Sequence, residues 1–285
     1  ATINQILANM RYMSPYSHIR QIWVLWKSTQ KEPTMPLSKS QEAAKDAFVS
    51  FLDDPTQKEF TISGPAGSGK TFLVRHLLDI AYSENRLLAS LDPTEPDLEI
   101  YISATTHKAV DVLTDSVPEY PCKTIHKTLG LKVENDYQSG KTRLVPVRNH
   151  NGIDLRNAIL VIDEASMIDS ELYEWIHIRT MNHPRLKIIY IGDKYQLPPV
   201  MERCSPVFTK VNNSVQLTEI QRQGEDSTII PVAQAFRDTM DIAGLWPEIQ
   251  NSTNITVHSD PQVCLHVIGQ HFIQRTDTND YKILT

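Results

Sequence analysis

Gly64-Pro65-Ala66-Gly67-Ser68-Gly69-Lys70-Thr71 has the residue types and spacing of a phosphate-binding loop, G-x-x-x-x-G-K-[ST]. Small residues let the backbone curl until several N–H groups point at phosphate oxygens. The helix that follows adds the positive end of its dipole. Lys70 is then suited to neutralise the β- and γ-phosphates, and the Thr71 hydroxyl to ligate Mg²⁺. A second acidic site ends an apolar run, Val161-Ile162-Asp163-Glu164-Ala165-Ser166. Asp163 is expected to hold Mg²⁺ through its water shell, and Glu164 to polarise an attacking water. An acid pair of this kind favours hydrolysis over transfer to a small molecule, because a hydrolase needs a base beside its metal ligand. Taken alone, Glu164 has a simpler reading as the cap of the next helix.

Such residues need strand ends to hold them. Glu59–Ser63 reads as a short strand running straight into the loop, and Phe72–Tyr82 as the helix after it. Upstream, Ser38 or Ser40 can cap a helix in which Ala43, Ala44, Ala47, Phe48 and Phe51 recur at helical spacing, with Pro55 beyond its end. Glu99–Ser103 is a β-rich run followed by a turn and a helix over Lys108–Thr114. Ala158–Ile162 ends in Asp163-Glu164, and Leu186–Ile191 ends in Gly192-Asp193. Continuously apolar strands alternating with helices indicate an α/β fold, a parallel sheet flanked by helices on both faces. Ligands of such sheets bind beyond the carboxyl ends of the strands, where the chemically suggestive residues fall. Between Leu131 and Val147 the period drops to two around Gln138-Ser139-Gly140-Lys141, the pattern of an inserted β-hairpin.

Composition narrows the field. The chain has 285 residues, 28 Lys+Arg against 34 Asp+Glu, and 40% hydrophobic residues, which excludes wholesale disorder and fibrous repeats. No run of about 18 apolar residues is present, so no membrane-spanning helix and no membrane partner are expected. The N-terminus lacks a secretory pattern, and Cys122, Cys204 and Cys264 are too few and too far apart for a disulfide framework or a closed zinc site. A reducing compartment is the expectation, the cytoplasm or, in a eukaryote, the nucleus. The chain opens on Ala1 rather than Met, which suggests a processed, tagged or excised chain. Its net charge of −6 divides unevenly: residues 121–150 carry +4 and the remainder −10. A basic island on an acidic body suits contact with a polyanion at one place, while charge alone fits a solvated hairpin equally well.

Gly192-Asp193-Lys194-Tyr195-Gln196-Leu197-Pro198-Pro199-Val200 resembles motif III of superfamily 1 helicases. Together with the phosphate loop and Asp163-Glu164-Ala165-Ser166, it makes the chain similar to the superfamily 1B, RecD/Dda-like DNA helicases, in motif order over roughly residues 37–285. The resemblance implies a RecA-like ATPase domain over 37–127 and 152–245. A pin subdomain would be inserted at 128–151, and an incomplete second RecA-like domain would begin at 246. Residues 1–36, with Trp23 and Trp26, form an extension without an assigned role.

Further roles follow from the same resemblance. Gln196 would couple the γ-phosphate to the DNA site, since its amide both donates and accepts; standing alone it reads as a surface amide. Leu37-Ser38-Lys39-Ser40-Gln41 is similar to the motif that reads adenine, with Gln41 making a two-point bond to the base. Ala104-Thr105-Thr106-His107-Lys108-Ala109 resembles motif Ia and Thr124-Ile125-His126-Lys127 motif Ib. Their Thr106, His107, Lys108, Thr124, His126 and Lys127 would contact the single-stranded backbone, as hydroxyls, imidazoles and ammoniums suit phosphates without base preference. A metal site at His107 and His126 is disfavoured, with no Cys or acid nearby at ligand spacing. Leu217-Thr218-Glu219-Ile220-Gln221-Arg222-Gln223 resembles motif IV, implying that Arg222 is an arginine finger; a surface salt bridge is the plainer alternative. Tyr137, near the hairpin turn, either stacks on the first base pair or packs the hairpin.

The activity implied is that of a monomeric ATP-dependent DNA helicase, hydrolysing Mg·ATP to move 5′→3′ on single-stranded DNA and to open fork DNA beside replication or repair proteins. Three rivals stand beside it. One is a DNA-stimulated ATPase subunit of a repair or recombination complex that does not unwind by itself. Another is a P-loop phosphotransferase, against which Gln196 and the basic hairpin speak. The third is a module that binds ATP and DNA without turnover, since Asn254–Leu284 holds only the first elements of a second domain and the resemblance places a second arginine finger beyond them.

Overall fold

The computed structural model describes residues 36–91, 96–136, 141–147, 155–220 and 229–239, with Thr94 and scattered positions between 247 and 267. Expectations for residues 1–35, Tyr137, Arg222 and nearly all of 240–285 lie outside the described residues. The chain divides into two compact units, Ala1–Arg222 and Gln223–Thr285. This division falls ahead of residue 246, where the motifs suggested a boundary. Helix α7 (Ile229–Thr239) belongs to the second unit.

Helix α1 (Lys39–Asp53) starts at Ser38, whose hydroxyl accepts from Gln41 N while Ser38 N donates to Gln41 Oε1 at 3.0 Å. This reciprocal pair satisfies two backbone donors that a helix start otherwise leaves orphaned. Strand β1 (Glu59–Ser63) leads into the glycine-rich loop, and helix α2 (Lys70–Leu91) begins inside that loop and outruns the apolar stretch that marked it. The first unit continues through β2 (Glu99–Ala104), α3 (His107–Ser116), β3 (Cys122–Thr124), α4 (Ile125–Leu129) and the hairpin β4 (Leu131–Asp136) and β5 (Lys141–Pro146). After it come β6 (Ala158–Asp163), a 3₁₀ turn (Ala165–Met167), α5 (Ser170–Thr180), β7 (Lys187–Gly192), α6 (Val207–Lys210) and β8 (Ser214–Gln216).

Among the described residues, six strands form one sheet in the order β3-β2-β6-β7-β1-β8, and every neighbouring pair is parallel. Alternation along the buried strands divides their side chains between two cores. Ile159 and Val161 of β6, with Ile189 and Ile191 of β7, face the core that α1, α2 and α3 cover with Phe48, Phe51, Leu73, Leu77 and Leu113. Ala158, Leu160 and Ile162, with Ile188 and Tyr190, face the other core, under Ile125 of α4 and Ile168, Leu172 and Ile176 at and within α5. This is the two-sided cover that uninterrupted apolar strands require. Phe60 of β1 sits in a ring cluster with Phe48 and Phe51, centroids 6.0 and 5.2 Å away, so the strand that carries the glycine-rich loop is firmly seated.

The hairpin pairs antiparallel from Leu131↔Pro146 to Asp136↔Lys141. Its base is fixed by buried Leu131 and by Val147 N, which donates to Gly130 O at 2.8 Å. Part of the basic island is spent within it, since Glu134 pairs with Lys132 at 2.8 Å and lies 3.9 Å from Arg143. Among the described residues no helix is long and apolar enough to cross a membrane.

Candidate active site

Because the sheet is parallel, its carboxyl edge gathers the sequence motifs. The loop after β1 turns through Gly67 (φ 80°) and Gly69 (φ 76°), left-handed conformations that side-chain-bearing residues resist. Gly64 N donates to Gly192 O at 3.1 Å, tying the loop to the end of β7. A Cβ on Gly64 would come within 2.9 Å of both Leu217 Cβ and Ser68 Oγ, so the fit there admits only glycine. Lys70 Nζ donates to Gly64 O and Pro65 O at 2.8 and 2.9 Å. Ser68 is buried, and its hydroxyl has no hydrogen-bond partner among the described residues. An orphaned buried hydroxyl inside a curled glycine loop, with a lysine at its rim, fits the phosphates of a nucleotide.

The acids stand at the end of β6. Glu164 N donates to Asp163 Oδ1 at 2.8 Å. Burial pushes the Asp163 carboxyl above the ordinary carboxylate range, with Lys70 opposing. Glu164 is raised too, by burial first, then by the charges of Asp163 and Asp193, again against Lys70. These four groups therefore share one electrostatic field. Glu164 occupies the N-cap position of the 3₁₀ turn that follows, but its side chain makes no capping bond there, and α5 is capped by Asp169 instead. The Glu164 backbone is left-handed (φ 56°), a strained state for glutamate of the kind that collects at functional sites.

Strand β7 lies between β1 and β6, so the segment Gly192–Val200 emerges between the phosphate loop and the acids. A Cβ on Gly192 would meet Ala165 N and Ser166 N at 3.2 Å, so the end of β7 closes directly on the turn after Glu164. Asp193 is buried and organises the next turn, accepting from Tyr195 N on Oδ1 and from Gln196 N on its carbonyl, both at 3.0 Å. Gln196 is exposed there. The motifs gave Asp193 no role; its signal was a buried strand ending on Gly-Asp.

Two further residues escaped or complicate the motif reading. Gln41 is buried, with Oε1 on Ser38 N and Nε2 donating to Ser68 O at 3.2 Å, so both ends of its amide are bonded within the protein. Glu219, to which the motifs assigned nothing, accepts from Ser38 Oγ at 3.0 Å and from Ser40 Oγ, while Leu217 N donates to Ser63 O at 2.7 Å. The segment after β8 thus closes over the start of α1 and the root of the phosphate loop.

The residues expected to meet nucleic acid lie at the ends of β2 and β3. Thr106 caps α3, accepting from Ala109 N at 3.2 Å, and Thr124 caps α4, accepting from Lys127 N at 3.3 Å. Each hydroxyl keeps its proton to donate elsewhere. His107, Lys108 and Lys127 are exposed. His126 is half-buried and held below the usual histidine value by burial, with Asp169 opposing and His107 reinforcing. Thr105 Oγ1, which the motifs left unassigned, is buried nearby without a hydrogen-bond partner among the described residues.

Comparison with known proteins locates the arrangement. The profile of the AAA domain family matches residues 52–202, more than half of the chain and the stretch from the end of α1 through Gln196. The chain belongs to the AAA domain family. The superfamily 1B resemblance is borne out by relatives of this AAA domain protein. It is 30% identical over 209 residues to the ATP-dependent DNA helicase dda of Enterobacteria phage T4, covering 69% of this chain and 42% of that one. It is 25% identical over 281 residues to the ATP-dependent DNA helicase PIF1 of Danio rerio, covering 89% and 39%. An uncharacterized protein of Acanthamoeba polyphaga mimivirus is 29% identical over 199 residues, covering 64% and 38%. The chain thus spans about two fifths of the length of these relatives. Among solved structures, the Pif1 helicase from Candida albicans aligns with a TM-score of 0.46 at 18% identity, covering 86% of this chain and 56% of that one.

Proposed function

We propose that this AAA domain chain is the nucleotide-hydrolysing part of an ATP-dependent DNA helicase that travels 5′→3′ on single-stranded DNA. The observation that carries the reading is one sheet edge on which the phosphate loop, the acids Asp163 and Glu164, and the Gln196 segment lie side by side, with two capped helix starts on neighbouring strands. The helicases of phage T4 and Danio rerio named above support it. Bound Mg·ATP supplies a phosphoanhydride whose hydrolysis releases the energy for movement. Lys70, the Ser68 hydroxyl and the loop N–H groups bind its phosphates, and Thr71 and Asp163 hold the metal. Glu164 takes a proton from the attacking water at its carboxylate, a role that its raised proton affinity suits. Arg222 stabilises the departing charge, and Gln196 relays the state of the phosphate site.

Thr106, His107, Lys108, Thr124, His126 and Lys127 hold single-stranded DNA by its phosphates, so affinity falls with salt and varies little with base sequence. The hairpin, with Tyr137 near its turn, acts as the pin that parts fork DNA. The protein works as a monomer in the cytoplasm or nucleus, beside replication or repair proteins. The test is ATP turnover with and without single-stranded DNA. Stimulation by DNA that Lys70→Ala abolishes supports the reading; full turnover in the variant overturns it.

A further inference from the structure

The first turn of α5 joins two parts of the molecule with different proposed duties. Ser170 N, one of the helix-start donors with no partner inside the helix, donates to Glu202 Oε1 at 2.8 Å. Glu202 follows the segment that carries Gln196, and it is delivered by Met201, whose backbone is left-handed (φ 68°). One residue further on, Glu171 Oε1 accepts from Leu144 N of the hairpin at 2.7 Å. Asp169 Oδ1 closes the same turn by accepting from Leu172 N at 2.7 Å. From the other side the turn is reached through the 3₁₀ segment, where Met167 N donates to Glu164 O at 3.0 Å. Ile168 and Leu172 are buried beneath, so the junction stands on the core.

Leu144 sits opposite Val133 in the hairpin ladder, and its N–H goes to the carboxylate of a different element. An edge-strand donor that would otherwise face water is thus held by a charged acceptor, the stronger and shorter kind of hydrogen bond. The remaining fixings described for the hairpin are Leu131 and the bond from Val147 N to Gly130 O at its base, and the half-buried Leu144 side chain, which packs against the second core. Glu171 meets the hairpin midway along β5, on the residue whose side chain also rests on the core.

We propose that Glu171 is a positioning residue that couples the hairpin to the nucleotide-responsive loop: rearrangement of Gln196–Glu202 moves the first turn of α5, and Glu171 carries that movement to β5. The inference rests on the helicase reading. It concerns coupling, not chemistry, so Glu171 touches neither nucleotide nor DNA.

The test uses the full-length protein with Glu171→Ala and Glu171→Gln. Three quantities are measured: ATP turnover on saturating single-stranded DNA, base pairs separated per ATP on a tailed duplex, and hydrogen exchange at the Leu144 amide. In Glu171→Ala, turnover stays within about twofold of wild type while base pairs per ATP fall about fivefold or more, and the Leu144 amide exchanges faster. Glu171→Gln keeps an oxygen acceptor and retains most of the coupling. A Glu171→Ala protein with wild-type yield per ATP, or with turnover and unwinding reduced in proportion, overturns the proposal. So does unchanged exchange at Leu144. A wild-type protein that separates no duplex overturns the helicase reading itself, whereas normal wild-type unwinding with an indifferent variant overturns only the coupling.

Discussion

Gln41 offers the sharpest perturbation, because its motif and its surroundings point to different work. The motif reads it as the residue that recognises adenine, yet its amide bridges Ser38 N, at 3.0 Å, and the Ser68 carbonyl, at 3.2 Å, from a buried position. Gln41→Ala removes two hydrogen bonds and leaves a helix-start donor and a loop carbonyl without partners. At about 1 kcal/mol for each bond, the loss is about 2 kcal/mol. For a unit of this size that lowers Tm by roughly 4–8 °C. The phosphate loop loses its brace as well, so the variant should bind ATP and GTP more weakly by a similar factor. Thermal unfolding and nucleotide titrations on wild type and Gln41→Ala measure both effects. A variant as stable as wild type, with ATP affinity lost and GTP affinity kept, would refute the bracing argument and return Gln41 to the base.

The other predictions concern the acids, the loop and the core. Glu164 carries a raised carboxyl, so the folded state holds its proton to higher pH than the unfolded chain does. Stability therefore falls as pH rises from the ordinary carboxylate range through that raised value, and stays reduced above it. Glu164→Gln should accordingly raise Tm at neutral pH, with the gain vanishing in acid. The same change should cut ATP turnover by roughly 10²–10⁴-fold. Gly64→Ala drives a methyl group to 2.9 Å from Leu217 Cβ, which should cost about 1–3 kcal/mol in denaturant titrations and weaken nucleotide binding. Phe48→Ala empties the ring cluster beneath β1 and should cost about 3–5 kcal/mol in the same titration, with nucleotide affinity preserved wherever the protein stays folded.

Much of the carboxyl edge was legible because it is local. Glu59–Ser63 carries Phe60 and Ile62 about its buried centre and halts at glycine, and it forms a strand with those bounds. The runs ending at Asp163 and Gly192 are strands for the same reason, since a buried parallel strand leaves a continuous apolar signature. Helix α2 was read too short, because its apolar period fades at Ser83-Glu84-Asn85 while no glycine or proline stops the backbone. The side-chain bonds were a different matter. Glu219 reaches Ser40 across 179 positions, and Glu171 reaches Leu144 across 27. Contacts over such separations leave no period and no local propensity; they exist only once the sheet order brings β8 beside β1 and the hairpin beside α5. The buried Asp193 lay between these cases, visible as a strand-ending acid, while its charge acts on Glu164 of the neighbouring strand end.

Whether ATP hydrolysis at this sheet edge drives movement on DNA is decided by strand displacement with the full-length protein. Duplexes carrying a 5′ tail, a 3′ tail or no tail are incubated with ATP, and the separated strand is quantified over time. ATP-dependent separation of the 5′-tailed duplex is expected, with none of the other two and none by Lys70→Ala. ATP turnover indifferent to single-stranded DNA, with all three duplexes left intact, would contradict it.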